Sequence, residues 1–593
     1  MEIVSESFKE AIKSDTREIK GYVEVIYEDK DVSSYVLSQA PSRERISLEK
    51  EIVDGIRKCK SYASLEENYT LLDGSFLLPN YNLTGDKAGY ISEDLFKNII
   101  SPSLKIESTD SIIMSSGITL YFQDNIIKKF KIIITKENEE EIIISVANNQ
   151  KNIYQNIFTE SISIKSLELV IYEVEYLNRR IRIPEIDLGI SQIYEGNDLV
   201  SFTTIEEVDL LVTSTPINIC KVNLNNYDNM FDPINPTGLV KYLMGNTIIK
   251  PFIGVLTKEN GVEYVSMGKF YFKDWSSNID GNVTLNGENL IAKLNNLQLK
   301  SDGRLLTYRW TTDTLNEYLT NTYGYKFKLE VGTVYNHQLQ SSNFMDFLQP
   351  NLLFQSSSNR YFCVTRKNEA VLTSLNLDSI GRISRKELLE DVKYETKATL
   401  ANLTIKDFID GWSDSATAKE DVLNQTYTLT SEEEYVWFKF SKYFGNYEDA
   451  TFSYNSTGNG KAELIDVSFF MAYVKFTGNL GDKITTHLVG NVYNNPPTQE
   501  LKFTTNNISG YSLNIDFTNN FNISNEQAKM IFENLLKKDK KYKINANYIG
   551  DPSYVPGDTV VTETKYGDKK VTITKHTLNF DGGLTGTIEG VGD

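Results

Sequence analysis

The sequence predicts a mainly β protein with some α, divided among several modules. Three observations carry this. Short β-branched and aromatic runs recur at close spacing with polar turn residues between them. Helical periodicity is confined to a handful of windows. The 593 residues, at roughly 100–200 residues per domain, make about three to five domains. With 40% hydrophobic and 24% charged residues, the chain can bury real cores and is no disordered polyelectrolyte.

Residues 4–14 read as a short amphipathic helix, with Val4, Phe8, Ala11 and Ile12 on one face and Ser5 as cap. Gly21 to Tyr27 alternates as a strand, placing Tyr22, Glu24 and Ile26 opposite Val23, Val25 and Tyr27. Residues 61–86 hold turn formers such as Leu72-Asp73-Gly74 and Leu78-Pro79-Asn80, and read as a connector closing an N-terminal segment, 1–86. From 87 to 189 strand-like runs crowd together: Gly117–Phe122, Lys129–Ile134, Glu141–Val146, Leu167–Tyr172 and Arg180–Ile183. Such spacing predicts an antiparallel sandwich. Residues 190–300 add strands at Ser201–Thr204, Val208–Val212, Tyr264–Phe272 and Val283–Leu285, then a helical pattern at Leu290, Ile291, Leu294 and Leu297. Residues 301–400 mix α and β: Leu315, Tyr318 and Leu319 share one face before Gly324, and Phe344, Phe347 and Leu348 another before Pro350. The runs Arg360–Thr365 and Ala370–Leu375 flank a turn. In 401–593, mainly strand, one helix stands out at 524–538. Ser524 and Gln527 have capping-box spacing, and Ala528, Ile531, Phe532 and Leu535 form a stripe. A meander closes the chain, turning at Tyr566-Gly567-Asp568 and Asp581-Gly582-Gly583.

Charge and ligand supply exclude more than they suggest. Against 80 Asp+Glu stand 61 Lys+Arg, a formal charge of −19. That balance opposes nucleic-acid binding, which needs cations on phosphates, and adhesion to an anionic membrane. The N-terminus shows neither the basic nor the apolar region of a signal peptide. No apolar run approaches the roughly 18 residues of a membrane span. Cys59, Cys220 and Cys363 are isolated thiols without a Cys-x-x-Cys pair.

No catalytic, cofactor or metal residue is assigned. His337, His487 and His576 each stand alone, without a partner at metal-ligand spacing. His576 falls within a strand and reads as a packed or surface residue. No Gly-x-Ser-x-Gly elbow, Walker loop or His-Glu-x-x-His occurs. Glu432-Glu433-Glu434 and Glu139-Glu140-Glu141 are the acid clusters that could supply a glycosidase pair, but they read as solvated faces. Asp228–Asp232 lacks the Gly and terminal Glu of an EF-hand loop. Tyr and Phe on the 87–189 sandwich could stack on sugars, although Tyr is also an ordinary strand former.

Several segments together resemble tail proteins of bacteriophages and phage-tail-like particles from low-GC Gram-positive bacteria. They are Val4–Lys13 followed by Thr16-Arg17, Ser201–Asp209 leading to Thr215–Asn218, Asn226–Pro236, and Gly268–Trp275. Tyr548–Pro552, Pro556–Val560 and Leu578–Leu584 are the most specific. The resemblance implies the central hub of a tail tip or baseplate: a β-barrel hub domain over 190–300, a mixed α/β hub domain over 301–400 and a β-rich C-terminal hub region over 401–593, with 87–189 as an inserted jelly-roll or discoidin-like sandwich. It implies a non-enzymatic structural virion protein, usually a homotrimer, that caps the tail tube and contacts other baseplate proteins. Many relatives continue into a peptidoglycan-cleaving domain, whereas this chain stops soon after the meander. Two other readings compete. One is a receptor-binding tail protein whose sandwich grips a cell-wall carbohydrate; the other is a cell-wall hydrolase with an acid pair. If DNA passes through the hub lumen, an acidic lining would let it slide without sticking.

Overall fold

A computed structural model describes residues 2–30, 32–41, 43–44, 46–48, 50–64, 66, 76–79, 87–98, 101–235, 238–258, 261–277, 281–305, 310–329, 341–348, 360–375, 377–408, 418–493, 498–506, 509–516, 524–565 and 567–592. The turns at Leu72–Gly74 and Asn80, His337, Pro350 and Tyr566 lie outside them.

The protein is mainly β, and one 14-stranded sheet organises it. Its main path runs Ile190–Glu195, Ile19–Glu28, Ile248–Thr257, Phe270–Ser277, Asn282–Glu288, Ile219–Asn225, Leu199–Glu207, Gly567–Phe580, Leu584–Gly592, Tyr542–Tyr548, Lys393–Thr396. Chain neighbours are thus interleaved with strands from the far N- and C-termini. The sheet curls: Val23 and Val25 from one end share a core with Phe202, Val222, Leu578 and Phe580. Gly21 marks the closure, because a Cβ there would lie 2.5 Å from the Phe580 ring. The expected 190–300 strands therefore do not form a sheet of their own but lie in one shared with the terminal meander.

The helix Glu6–Ile12 packs Phe8 and Ile12 into the same core. Ser5 caps it, accepting from the Phe8 amide at 3.0 Å, and its own hydroxyl donates to Glu263 at 2.5 Å. The strand Ile19–Glu28 departs from the two-faced alternation expected of it. Tyr22 to Tyr27 are buried throughout, because neighbours pair along both edges and a second module covers the other face.

That module is a sandwich. A five-stranded sheet (Tyr35–Gln39, Ser103–Ser108, Ser166–Val174, Ile127–Thr135, Glu141–Val146) faces a three-stranded one (Ile186–Asp187, Ile113–Tyr121, Ile153–Ile164). The core between them includes Leu104, Ile118, Phe130, Ile132, Leu169 and Ile183. Tyr35, Ile52 and Val53 belong to the same core, so the sandwich draws on chain well before residue 87. The alternation in Tyr35–Gln39 is too short to reveal its partner, Ser103–Ser108.

A second insertion sits between Lys393–Thr396 and Tyr542–Tyr548, which pair antiparallel. Leu400–Phe408 pairs with Thr498–Thr504 and Tyr511–Asp516. Within it lies another small sandwich, built on Tyr443–Thr457, Lys483–Tyr493, Met471–Thr477 and their neighbours around Phe444, Val474, Phe476 and Leu488. The module lies inside the single region expected over 401–593, where its strands resemble those on either side and give no sign of a boundary.

Helices gather in one further core. Leu290–Asn295, Thr312–Tyr323 and Asn525–Lys538 bury Leu294, Leu315, Leu319, Ile531 and Leu535 against Trp310, Phe344 and Phe347. Ser524 and Gln527 close both bonds of the expected capping box. Arg360–Val364 and Glu369–Ser374 form the expected hairpin.

Candidate functional site

The acid clusters and histidines are not brought together. Glu139 and Glu140 serve a hairpin turn beside Lys165 and Lys136. Glu434 accepts from Thr430 and Tyr427, and these hydrogen bonds hold its carboxyl at about 2. Asp228 and Asp232 cap turns through the Met230 and Ile234 amides. His487 pairs with Asp421 at 2.7 Å. His576 is fully buried, its Nδ1 bonded to the Tyr554 carbonyl at 3.2 Å and its Nε2 to Tyr548 Oη at 2.8 Å. Burial, then the nearby Arg366 charge, lowers its pKa to about 3. Among the described residues no group of three or more His, Cys, Asp or Glu forms a metal cage.

Burial instead concentrates charge where the first sandwich meets the central sheet. Arg57 lies at the centre. Its Nε donates to Asp187 Oδ2 at 2.6 Å and its Nη2 to Asp187 Oδ1 at 3.0 Å. Glu24 lies 3.7 Å from its Nη1. Ser191 and Tyr121 extend the network, with their hydroxyls 2.8 Å apart. Next to it Glu185, fully buried, accepts from the Asp54 and Gly55 amides at 3.1 and 3.0 Å. Burial, then the Asp187 charge, pushes the Glu185 carboxyl well above the usual range. Burial also raises Glu24. Asp187 holds Arg57 within the sandwich, and Glu24 at 3.7 Å and the Ser191 hydroxyl at 3.3 Å tie it to strands of the central sheet, so parting the two would strand charge in low dielectric. No local motif announced this: Arg57 lies in the N-terminal segment just before the expected connector and Asp187 at the expected end of the module.

Beside the lock opens a cleft of about 700 Å³. Its walls come from the sandwich (Asn149 to Gln155), from the strand Ile190–Glu195, and from a scaffold loop carrying Asn225, Tyr227, Asp228 and Phe231. Some polar groups are committed: the Asn149 amide donates to the Ile127 and Lys151 carbonyls at 3.0 and 2.8 Å. Among the described residues, Asn152, Gln192 and Asp198 form no side-chain hydrogen bond. Tyr227 is 84% exposed at the rim. Amides and carboxylates with free bonding capacity, beside an open aromatic face, suit a neutral hydroxyl-rich ligand. Asn226 to Asp232 appeared in the sequence as tail-like residues, with Asp228–Asp232 an incomplete calcium loop, and Asn149–Gln155 only as part of the sandwich. Folding alone brings them together.

No family model matches the chain, and no curated protein matches it. Among solved structures it is similar to the 43 kDa tail protein of prophage MuSo2 from Shewanella oneidensis, at 11% identity over 68% of this chain and 95% of that one, TM-score 0.38. It is similar to a prophage tail protein from Listeria monocytogenes at 8% identity, over 67% and 91% of the two chains, TM-score 0.32. It is also similar to the family 32 carbohydrate-binding module of C. perfringens NanJ, solved with galactose, at 13% identity over 29% and 99%, TM-score 0.19. The architecture rests on the strand pairing and not on these likenesses.

Proposed function

We propose that the chain is a structural protein of a phage or phage-like tail, the central hub at the tail tip or baseplate. In this reading it caps the tail tube as a homotrimer and joins it to other baseplate proteins. The observation that supports it is the convergence of the tail-like segments. Arg17 donates to the carbonyls of Ile549 (2.5 Å), Gly550 (3.1 Å) and Leu584 (2.7 Å). Phe202 lies opposite Phe580 in the sheet, and Phe270 faces the same core. Segments scattered along the whole sequence thus make one scaffold, and both insertions stand outside it. The −19 charge suits a conduit that DNA passes without adhering. Cryo-electron microscopy of the parent particle tests the reading. Density on the tail axis at the tip supports it, and a peripheral fibre position overturns it.

The junction cleft favours a second role in the same chain, recognition of a cell-wall carbohydrate through the sandwich. A glycan array with the full chain and with Tyr227→Ala tests it, and identical profiles count against this cleft. The proposal assigns the chain no reaction; a cleared band in zymography on Gram-positive walls would reverse that.

A further inference from the structure

A second cleft, of about 390 Å³, opens where Ile19–Glu28, the strands Ile248–Thr257 and Gly261–Ser266, and the turn after Val364 meet. Tyr22 and Phe252, stacked at 4.5 Å, contribute an aromatic wall. Lys58, Lys250, Lys269, Arg366 and Lys367 line it against a single carboxylate, Glu24. In a chain of charge −19 this is a local inversion of sign.

The cations are unequally satisfied. Arg366 is fully used: it binds Glu206 through Nε at 2.9 Å and donates to the Tyr554 carbonyl at 3.1 Å. Lys58 pairs with Glu195 and lies 4.8 Å over the Tyr22 ring. Among the described residues Lys250 pairs only with Glu24, at 3.8 Å, and that carboxylate already faces Arg57 at 3.7 Å. Lys269 is 3.7 Å from Asp29. Burial lowers its pKa, Asp29 opposes the shift, and Lys250 and Arg57 reinforce it. Lys367 makes no ion pair among the described residues. Three ammonium groups thus line one concavity with loose partners or none.

We propose that this cleft binds a phosphate-bearing ligand. Several lysines around one concavity suit a multivalent tetrahedral anion. A planar carboxylate is matched best by a free guanidinium fork, and the one guanidinium here is occupied. The Tyr22–Phe252 pair offers an apolar wall to the rest of the molecule. The site is separate from the carbohydrate cleft and independent of any place in a tail.

The test is calorimetric titration of the full chain with inorganic phosphate and pyrophosphate at low salt. Expected are saturable binding, tighter for pyrophosphate, and about tenfold weakening for each of Lys250→Gln, Lys269→Gln and Lys367→Gln. Lys502→Gln, an exposed lysine 3.0 Å from Glu500, is the control. No saturable heat at millimolar pyrophosphate, or an equal loss in Lys502→Gln, overturns the proposal. A measurement free of variants accompanies it: pyrophosphate should protect Lys250, Lys269 and Lys367 of the wild-type chain from acetylation, read by mass spectrometry. Unchanged labelling there is equally fatal.

Discussion

Replacing Arg57 with methionine should open the joint between sandwich and central sheet. The side chain is 3% exposed, and its partners Asp187 and Glu24 are 11% and 5% exposed. Methionine keeps most of the volume, so what is lost is charge. Breaking a buried pair by removing one partner typically costs about 3–5 kcal/mol. Two local features reduce that here: Asp187 keeps the Ser191 hydroxyl, and Glu24 keeps Lys250 at 3.8 Å. About 3 kcal/mol remains, which is roughly a hundredfold in an opening equilibrium. Hydrogen exchange reads it directly. Amides of Ile19–Glu28 and Ile190–Glu195 should lose about that factor in protection, while those of the distant Lys483–Tyr493 stay unchanged. Adding Asp187→Asn should restore part of the loss, because the stranded charge is then gone. If protection changes by less than about twofold, or the double variant is simply additive, the network is not what holds the joint.

Three further outcomes follow from single contacts. His576 has a folded pKa of about 3, below its ordinary 6.5, so the unfolded chain takes up a proton first as pH falls. Its contribution is intact above about 6.5 and declines toward pH 3, by a few kcal/mol at the limit; thermal melts of His576→Gln should show a shallower acid decline than wild type. Gly21→Ala should cost about 1–3 kcal/mol by driving a methyl into the Phe580 ring, and Phe580→Leu should recover part of it in a urea titration. Ser524→Ala should cost about 1 kcal/mol, seen as faster exchange at the first amides of Asn525–Lys538.

Local chemistry made some elements legible and left their arrangement hidden. The helix Asn525–Lys538 could be read because its cap, stripe and basic end lie within fifteen neighbouring residues. The closing hairpin could be read because Gly582 supplies a positive φ, 95°. Nothing local says that Val23 pairs with Tyr194, or that Tyr35 belongs to a sandwich whose other strands begin at Ser103. The same holds for the clefts. Lys58, Lys250, Lys269 and Lys367 are unremarkable lysines in sequence, and only the packing of separate elements around one cleft makes them neighbours. The acid triplets, conspicuous in sequence, proved to be turn residues and surface pairs: Glu139 and Glu140 sit in the turn before Glu141–Val146, and Glu433 and Glu434 point to opposite faces of one strand.

The insertion between Ile19–Glu28 and Ile190–Glu195 bears on how the chain folds. Glu28 pairs with Ile190, so a flexible connection would have to close a loop of roughly 160 residues before any sheet bond formed, at an entropic cost that grows with the logarithm of length. A sandwich that has already folded on its own core holds those two ends within one strand spacing. To the growing sheet it then behaves as a very large but rigid β-turn, and the ordering of its residues precedes the pairing of the strands it joins. The Arg57 network, spanning that joint, is satisfied only when both parts are in place.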